Sequence, residues 1–228
     1  MLKEKIKQFD FKTSVLGEQV ACILTEAILE GVLRGGDKLV EAELQKQFGI
    51  SRSPLREAFR ELEKKDLVVI TPRKGTYVRR ITRKDIEENF PVRAHLEGLA
   101  ARIALHRIGP QRIKSLDRAW KKMAQAVDRN DVKAYWRHHM AFHEVFINAS
   151  ENEVLVRILR TLRMHSMWYR FSYRYYGEDL GKSLKDHQTI LKMFKKRPPD
   201  PQKLAVQVQN HIEVASEKFL AYLETQKD

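Results

Sequence analysis

The chain has 228 residues, with 43 basic and 30 acidic side chains and a formal charge of +13. Hydrophobic residues make up 43%, enough for a packed core and against wholesale disorder. A mean hydropathy of −0.51 without a long uncharged apolar run excludes a membrane-spanning helix, and one cysteine, Cys22, excludes an internal disulfide or a thiolate zinc cluster. Met1–Lys7 holds no apolar stretch of the secretory kind. The expectation is a soluble, cytoplasmic protein with an anionic partner. The excess charge is spread unevenly: net +4 in residues 1–80 and net +9 in 81–228.

In chain order, residues 14–32 read as a helix, with Leu16, Val20, Ile23, Leu24, Ala27 and Ile28 on one face. Gly31, Gly35 and Gly36 break it. Residues 41–48 form a short helix with Leu44 and Phe48 inward, and Gly49 makes the turn that follows. Residues 52–65 form the next helix, burying Leu55, Ala58, Phe59 and Leu62. Ser51 or Ser53 serves as N-cap, and Pro54 suits a first turn. Leu67–Thr71 is β-branched and reads as a strand, Pro72–Gly75 as a turn, and Thr76–Arg79 as the returning strand. Three helices and a two-stranded ribbon make a winged helix-turn-helix, with residues 1–80 as its domain.

From Thr82 onward no strand signal appears. Thr82 and Asp85 form a capping pair for a helix to about Ile108, with Pro91 as a bend. Gly109-Pro110 punctuates, and a second helix runs to about Asp128. Asn130-Asp131 opens a third, to about Ala149. Ser150 and Glu153 read as a capping box for a long helix to about Tyr176, ended by Gly177. Helices at 180–197 and 202–225 follow, separated by Pro198-Pro199-Asp200-Pro201. Residues 81–228 are therefore an all-helical domain of ordinary size. The fold class is mainly α: an N-terminal winged helix-turn-helix and a C-terminal helical bundle.

The second helix of a helix-turn-helix presents its N-terminal residues to the major groove. Here these are Ser51, Arg52, Ser53, Pro54 and Arg56, with Arg60 one turn further. Arg52, Arg56 and Arg60 are spaced by four and share a face away from the buried stripe. Arginine grips guanine bidentately, and serine hydroxyls donate to phosphate. Arg73, Lys74 and Gly75 place two charges on the wing tip. A solvated basic face is the plain alternative for any one such helix. The order of turn glycine, capped basic helix and basic ribbon favours a DNA reader.

Gly36-Asp37-Lys38-Leu39-Val40-Glu41-Ala42-Glu43-Leu44, Phe48-Gly49-Ile50-Ser51-Arg52-Ser53-Pro54-Leu55-Arg56-Glu57-Ala58 and Thr71-Pro72-Arg73-Lys74-Gly75-Thr76-Tyr77-Val78 together resemble the GntR-family DNA-binding domain. Asp66 stands where that family usually turns on glycine, which implies a slightly different turn. Ala42 stands where some members carry a DNA-contacting arginine.

Four of the eight histidines fall on inward stripes. His139 and His143 are i,i+4 on one helix, among Val132, Tyr135, Trp136 and Phe146. His187 aligns with Leu184, Leu191 and Phe194, and His211 with Leu204, Val208, Ala215 and Phe219. Imidazole is the commonest metal ligand, so a metal site competes with four separately satisfied core histidines. Residues 82–225 resemble the FCD effector-binding domain of the FadR-type branch, on Val92–Ala101, Phe142–Phe146, Ser150–Asn152 and Asp186–Ile190. The resemblance implies a metal held by His143, His187 and His211. His139 stands where an aspartate is expected, giving an all-nitrogen site. Such a set favours a divalent transition metal such as zinc or nickel. The resemblance also implies a small organic-acid effector, for which Arg93 is the candidate clamp, against a plain Arg93–Glu97 ion pair.

The aromatic–arginine run Trp168–Tyr176 reads as core packing or a subunit interface. The tract Lys192, Lys195, Lys196, Arg197 reads as a solvated face. His143-Glu144 begins like a zinc-protease motif, but Ile147 stands where the second histidine belongs, and no nucleophile–base pair or phosphate loop is visible. The expected function is a sequence-specific transcriptional regulator and not an enzyme. A metal-dependent enzyme and a nonspecific DNA-packaging protein are the alternatives. The expected partners are double-stranded DNA with a palindromic operator, a small organic-acid effector and a second copy of the chain, at the nucleoid and without a membrane.

Overall fold

The computed structural model describes residues 11–29, 32–80, 82–164, 180–196 and 198–225. Gly31, the helix end at Gly177, the run Trp168–Tyr176 and Arg197 lie outside them. The described residues before Ile81 form one compact unit, and those from Thr82 to Arg163 and from Leu180 onward form a second. The described residues form nine helices and one small sheet.

In the first unit, α1 (Phe11–Leu29) packs across α3 (Arg52–Lys64), while the short α2 (Glu41–Phe48) precedes α3. The buried face of α1 is Val20, Ala21, Leu24 and Ile28. Leu16 and Ile23, expected inward, are 36% and 49% exposed. Gly17 supplies the reason. A Cβ there would lie 3.1 Å from the Glu57 carboxylate and 3.2 Å from the Pro54 carbonyl, so α1 approaches α3 through its glycine. The contact stripe is therefore 17, 20, 21, 24, 28, which leaves 16 and 23 on its flanks.

The turn between α2 and α3 is made by Gly49 at φ 65°. Ser51 is the N-cap of α3, but its hydroxyl makes no capping bond. Leu55, Ala58, Phe59 and Leu62 meet α1, Leu67, Val68 and Val78 in one apolar cluster.

The wing contains β2 (Val68–Thr71) and β3 (Gly75–Val78), paired antiparallel with Val68 opposite Val78. A third strand, β1 (Lys38–Leu39), pairs with the other edge of β3, giving the order β1-β3-β2. The two-stranded ribbon expected from sequence is thus a three-stranded sheet. Two residues are too short to show a period of two. Asp66 takes a left-handed φ of 56° and pairs with Arg79, so aspartate makes the turn in place of glycine.

The described residues of the second unit form six helices: α4 (Arg83–Arg107), α5 (Pro110–Asp128), α6 (Val132–Ala149), α7 (Glu153–Met164), α8 (Leu180–Lys195) and α9 (Pro201–Thr225). Thr82 and Asp85 form the reciprocal capping box expected of them, and α4 runs on through Pro91. Asp131 caps α6 by accepting from Ala134 N at 2.8 Å. The expected Ser150–Glu153 box is not formed. Glu151 turns left-handed at φ 52°, so the helix starts later and Asn152 caps it, accepting from Leu155 N at 3.0 Å. The Ser150 hydroxyl instead donates to Ile147 O and closes α6.

Helices α4 and α9 pack closely, as do α5 and α6. The α4–α9 crossing depends on Gly98. A Cβ at 98 would lie 2.9 Å from the Ala205 carbonyl and 2.8 Å from Gln209 Cγ. Helix propensity alone favours Gly98→Ala by up to about 1 kcal/mol. Overpacking costs about 1–3 kcal/mol, so the substitution is expected to destabilise net. A chemical denaturation midpoint at or above the parent's would contradict this crossing.

Candidate metal centre and nucleic-acid interface

The α6 interior stripe is Tyr135, Trp136, His139, Phe142, His143 and Phe146, so both histidines enter the core with the aromatics. His187 enters from α8 and His211 from α9. All four are buried, and one ligand atom from each lies within 4.8 Å of every other. The four side chains singled out by sequence therefore converge. His139 stacks on Trp136 with ring centroids 4.7 Å apart.

Outer partners fix two of the rings. His143 Nδ1 lies 2.6 Å from Glu97 Oε2, and His187 Nδ1 lies 2.7 Å from Ser183 O. A carboxylate and a carbonyl only accept, so both Nδ1 atoms carry the proton. Each Nε2 then bears a lone pair, and the two Nε2 atoms face each other at 3.0 Å. Two lone pairs at that distance repel unless a cation or a proton lies between them. Two nitrogens at about 2.0–2.1 Å from one metal ion lie about 3.0–3.4 Å apart, so this pair fits a shared cation. His211 Nδ1 is buried without a hydrogen-bond partner among the described residues; Asp186 Oδ2 is 3.8 Å away. A donor set of four imidazoles suits zinc, nickel or copper.

Sequence spacing offers Glu97 only as a mate for Arg93. It is wholly buried, bonded to Arg93 Nε at 2.7 Å, with Arg163 Nε at 3.8 Å. Burial pushes its pKa up, but Arg93, His143 and Arg163 together outweigh burial and hold the carboxyl well below the usual range. It thus remains an acceptor that fixes the His143 ring, the arrangement typical around ligating histidines. The i,i+4 spacing from Arg93 was the one signal for it. Arg163 and Ser183 carried none. Arg93 is 2% exposed and adjoins the histidines through Glu97. Glu144 is exposed, on the outer side of α6, and so lies away from the imidazoles.

In the first unit, Ser51, Arg52, Ser53, Arg56 and Arg60 are exposed along one side of α3. Pro54 turns inward and is buried, so it shapes the first turn. Arg56 and Arg60 line a cleft of about 510 Å³ together with Arg73, Lys74, Gly75 and Thr71 of the wing. Arg73 adopts φ 63° and Gly75 φ 119°, which tightens the tip. Lys38, not singled out by sequence, lies on β1 beside this tip, its ammonium 5.7 Å from the Tyr77 ring centroid. Glu41 was also missed: its carboxylate accepts from Arg56 Nε at 3.1 Å and from Arg56 Nη2 at 3.3 Å.

Burial depresses three of the histidines. His139 and His187 are pushed well below the ordinary value by burial and then by neighbouring imidazoles. Burial lowers His143 to about 4 although Glu97 pulls it up. Unfolded, each titrates near about 6.5. Between those values the unfolded chain binds protons that the folded chain refuses. Stability is therefore full above about pH 6.5 and declines as pH falls toward about 4. His143 alone contributes on the order of 3 kcal/mol. Urea midpoints of chelator-treated protein should fall between pH 7 and pH 5, and a flat profile there would count against buried neutral imidazoles.

Comparison with known proteins places both units. Residues 88–214 match the FCD domain, and residues 16–78 match the family described as bacterial regulatory proteins, gntR family. A probable D-xylose utilization operon transcriptional repressor of Paenarthrobacter nicotinovorans is 31% identical, over 68% of this chain and 68% of that protein. The HTH-type transcriptional regulator YdhC of Bacillus subtilis (strain 168) is 28% identical, over 76% of this chain and 78% of its own length. The crystal structure of a GntR transcriptional regulator from Rhodococcus sp. RHA1 shares the fold, with a TM-score of 0.74 at 20% identity, over 90% of this chain and 97% of that one. The chain belongs to the gntR family of transcriptional regulators and carries an FCD domain.

Proposed function

We propose that the chain is a repressor that binds a palindromic operator as a homodimer in the cytoplasm, at the nucleoid. Its operator affinity is set by a small organic acid bound beside a divalent transition metal, zinc or nickel. The observation that carries the sensor half of this reading is the facing pair of imidazole nitrogens at 3.0 Å, each ring held from outside by Glu97 or Ser183. His139, His143, His187 and His211 would hold the metal, which supplies a Lewis-acid position for a carboxylate oxygen. Arg93 would pair with the same effector, although its Nε here makes the plain ion pair with Glu97 at 2.7 Å. The reader half rests on Ser51, Arg52, Ser53, Arg56 and Arg60 along α3 and on Arg73, Lys74 and Gly75 at the wing tip. An effector that binds one arrangement of the chain more tightly than another shifts the population between them, and with it the operator affinity.

Protein purified without a histidine tag should contain close to one metal ion per chain by elemental analysis. His143→Ala should lose it. Full metal content in that variant would sink the assignment.

Organic acids of two to six carbons, screened by thermal shift, should include one that raises the melting temperature. A ligand at a hundred times its Kd stabilises by about 2.7 kcal/mol. Arg93→Lys, which keeps a cation beside Glu97 but loses the planar two-pronged grip, should remove that shift and leave metal content unchanged. A shift of the same size in the variant would show that Arg93 is not the clamp.

A further inference from the structure

The cleft between α3 and the wing is lined by Arg56, Arg60, Arg73 and Lys74, and among its described lining residues Glu41 is the only acid. An acid facing a polyanion weakens association. This one is not spent on folding either, because the pair is exposed at 58% and 34%, and such pairs contribute little to stability. Its geometry is specific. The carboxylate takes Arg56 by one edge of the guanidinium, Nε to Oε1 and Nη2 to Oε2. That leaves Nη1 and the second Nη2 hydrogen as an end-on fork, the pattern that matches O6 and N7 of guanine. Among the described residues, neither Arg52 nor Arg60 has a carboxylate partner. Of the three, Arg56 is the one held from the side by a described residue.

We propose that Glu41 is a specificity-determining positioning residue, which aims the end of the Arg56 guanidinium at one guanine and keeps it off the phosphates. A free arginine chain orders only on binding and reaches phosphate as readily as base. Held by Glu41, it is ordered beforehand, and the carboxylate repels the backbone. Ala42, next to Glu41, leaves α2 without an arginine of its own at that position, so base reading in each half-site leans on α3.

This inference rests on the chain being a sequence-specific DNA reader, and the test separates the two. The full chain is used to select a duplex from a randomised library. Glu41→Gln, Arg56→Ala and the double variant are then put through the same selection. Glu41→Gln and Arg56→Ala are expected to lose preference at the same base pair of each half-site, with the other positions kept. The affinity ratio of selected to scrambled duplex is expected to fall about tenfold per half-site in each single variant and no further in the double one. On scrambled duplex, the slope of log K against log salt is expected to steepen by about 0.9 in Glu41→Gln, as Arg56 takes a phosphate. If the parent chain selects no sequence, the regulator reading fails and this inference with it. If the parent selects a sequence and Glu41→Gln selects it equally well, or if the losses of the two single variants multiply in the double one, only the inference is overturned.

Discussion

A carboxylate with no exposed surface lies in the polar interior of the second unit. Glu97 is desolvated, which by itself disfavours its charge, yet Arg93, Arg163 and His143 keep it ionised. Replacing such a cluster by packed apolar side chains is often neutral or stabilising, so burying it is weak evidence of a contribution to stability. What it does is orient. The ionised carboxylate forces the proton of His143 onto Nδ1 and turns its Nε2 toward His187. Without that hold, nothing in the hydrogen bonding would fix which nitrogen of His143 carries the proton.

The helix packing follows from the same place. Gly98 succeeds Glu97 on α4 and lets α9 approach at Ala205 and Gln209. Two residues beyond Gln209 is His211. The close crossing thus sets the depth and register at which α9 delivers its imidazole, and one turn of α4 supplies both the contact and the carboxylate. Helices α6 and α8 fill the remaining sides with Phe142, Phe146, Ile190 and Phe194, which exclude water from the rings. Such a shell raises the cost of charging His139, His143 and His187, so these three imidazoles stay neutral near neutral pH.

Much of this was legible in residue order. Helices with a strong period, such as α3 and α6, are legible with their buried stripes and little error in their limits. The four histidines were legible because each shares the spacing of large apolar residues on its own helix. Features made by contact between distant segments were not. The α1 face is not legible because Gly17 carries no hydrophobic signal, yet its missing Cβ decides the crossing. Strand β1 has two residues and exists only because β3 offers a free edge. The cap of α7 moved from Ser150 to Asn152 because Glu151 adopts a left-handed angle, which no propensity favours. The tie from Glu97 to His143 spans 46 positions, and only the Arg93 spacing hinted that the carboxylate was inward.

Net charge illustrates the same division. The chain carries +13, but residues 1–80 hold only +4 of it. A reader with a large excess of charge binds any duplex well, because phosphate contacts supply nearly all of nonspecific affinity. A genome presents a vast excess of such competing sites, so the useful quantity is the ratio between specific and nonspecific binding. A modest total, with basic side chains gathered at the α3 face and the wing tip and an acid set among them, would on the proposed reading lower the nonspecific term more than the specific one. Placement of a few charges, rather than their sum, is what allows a basic chain to read sequence.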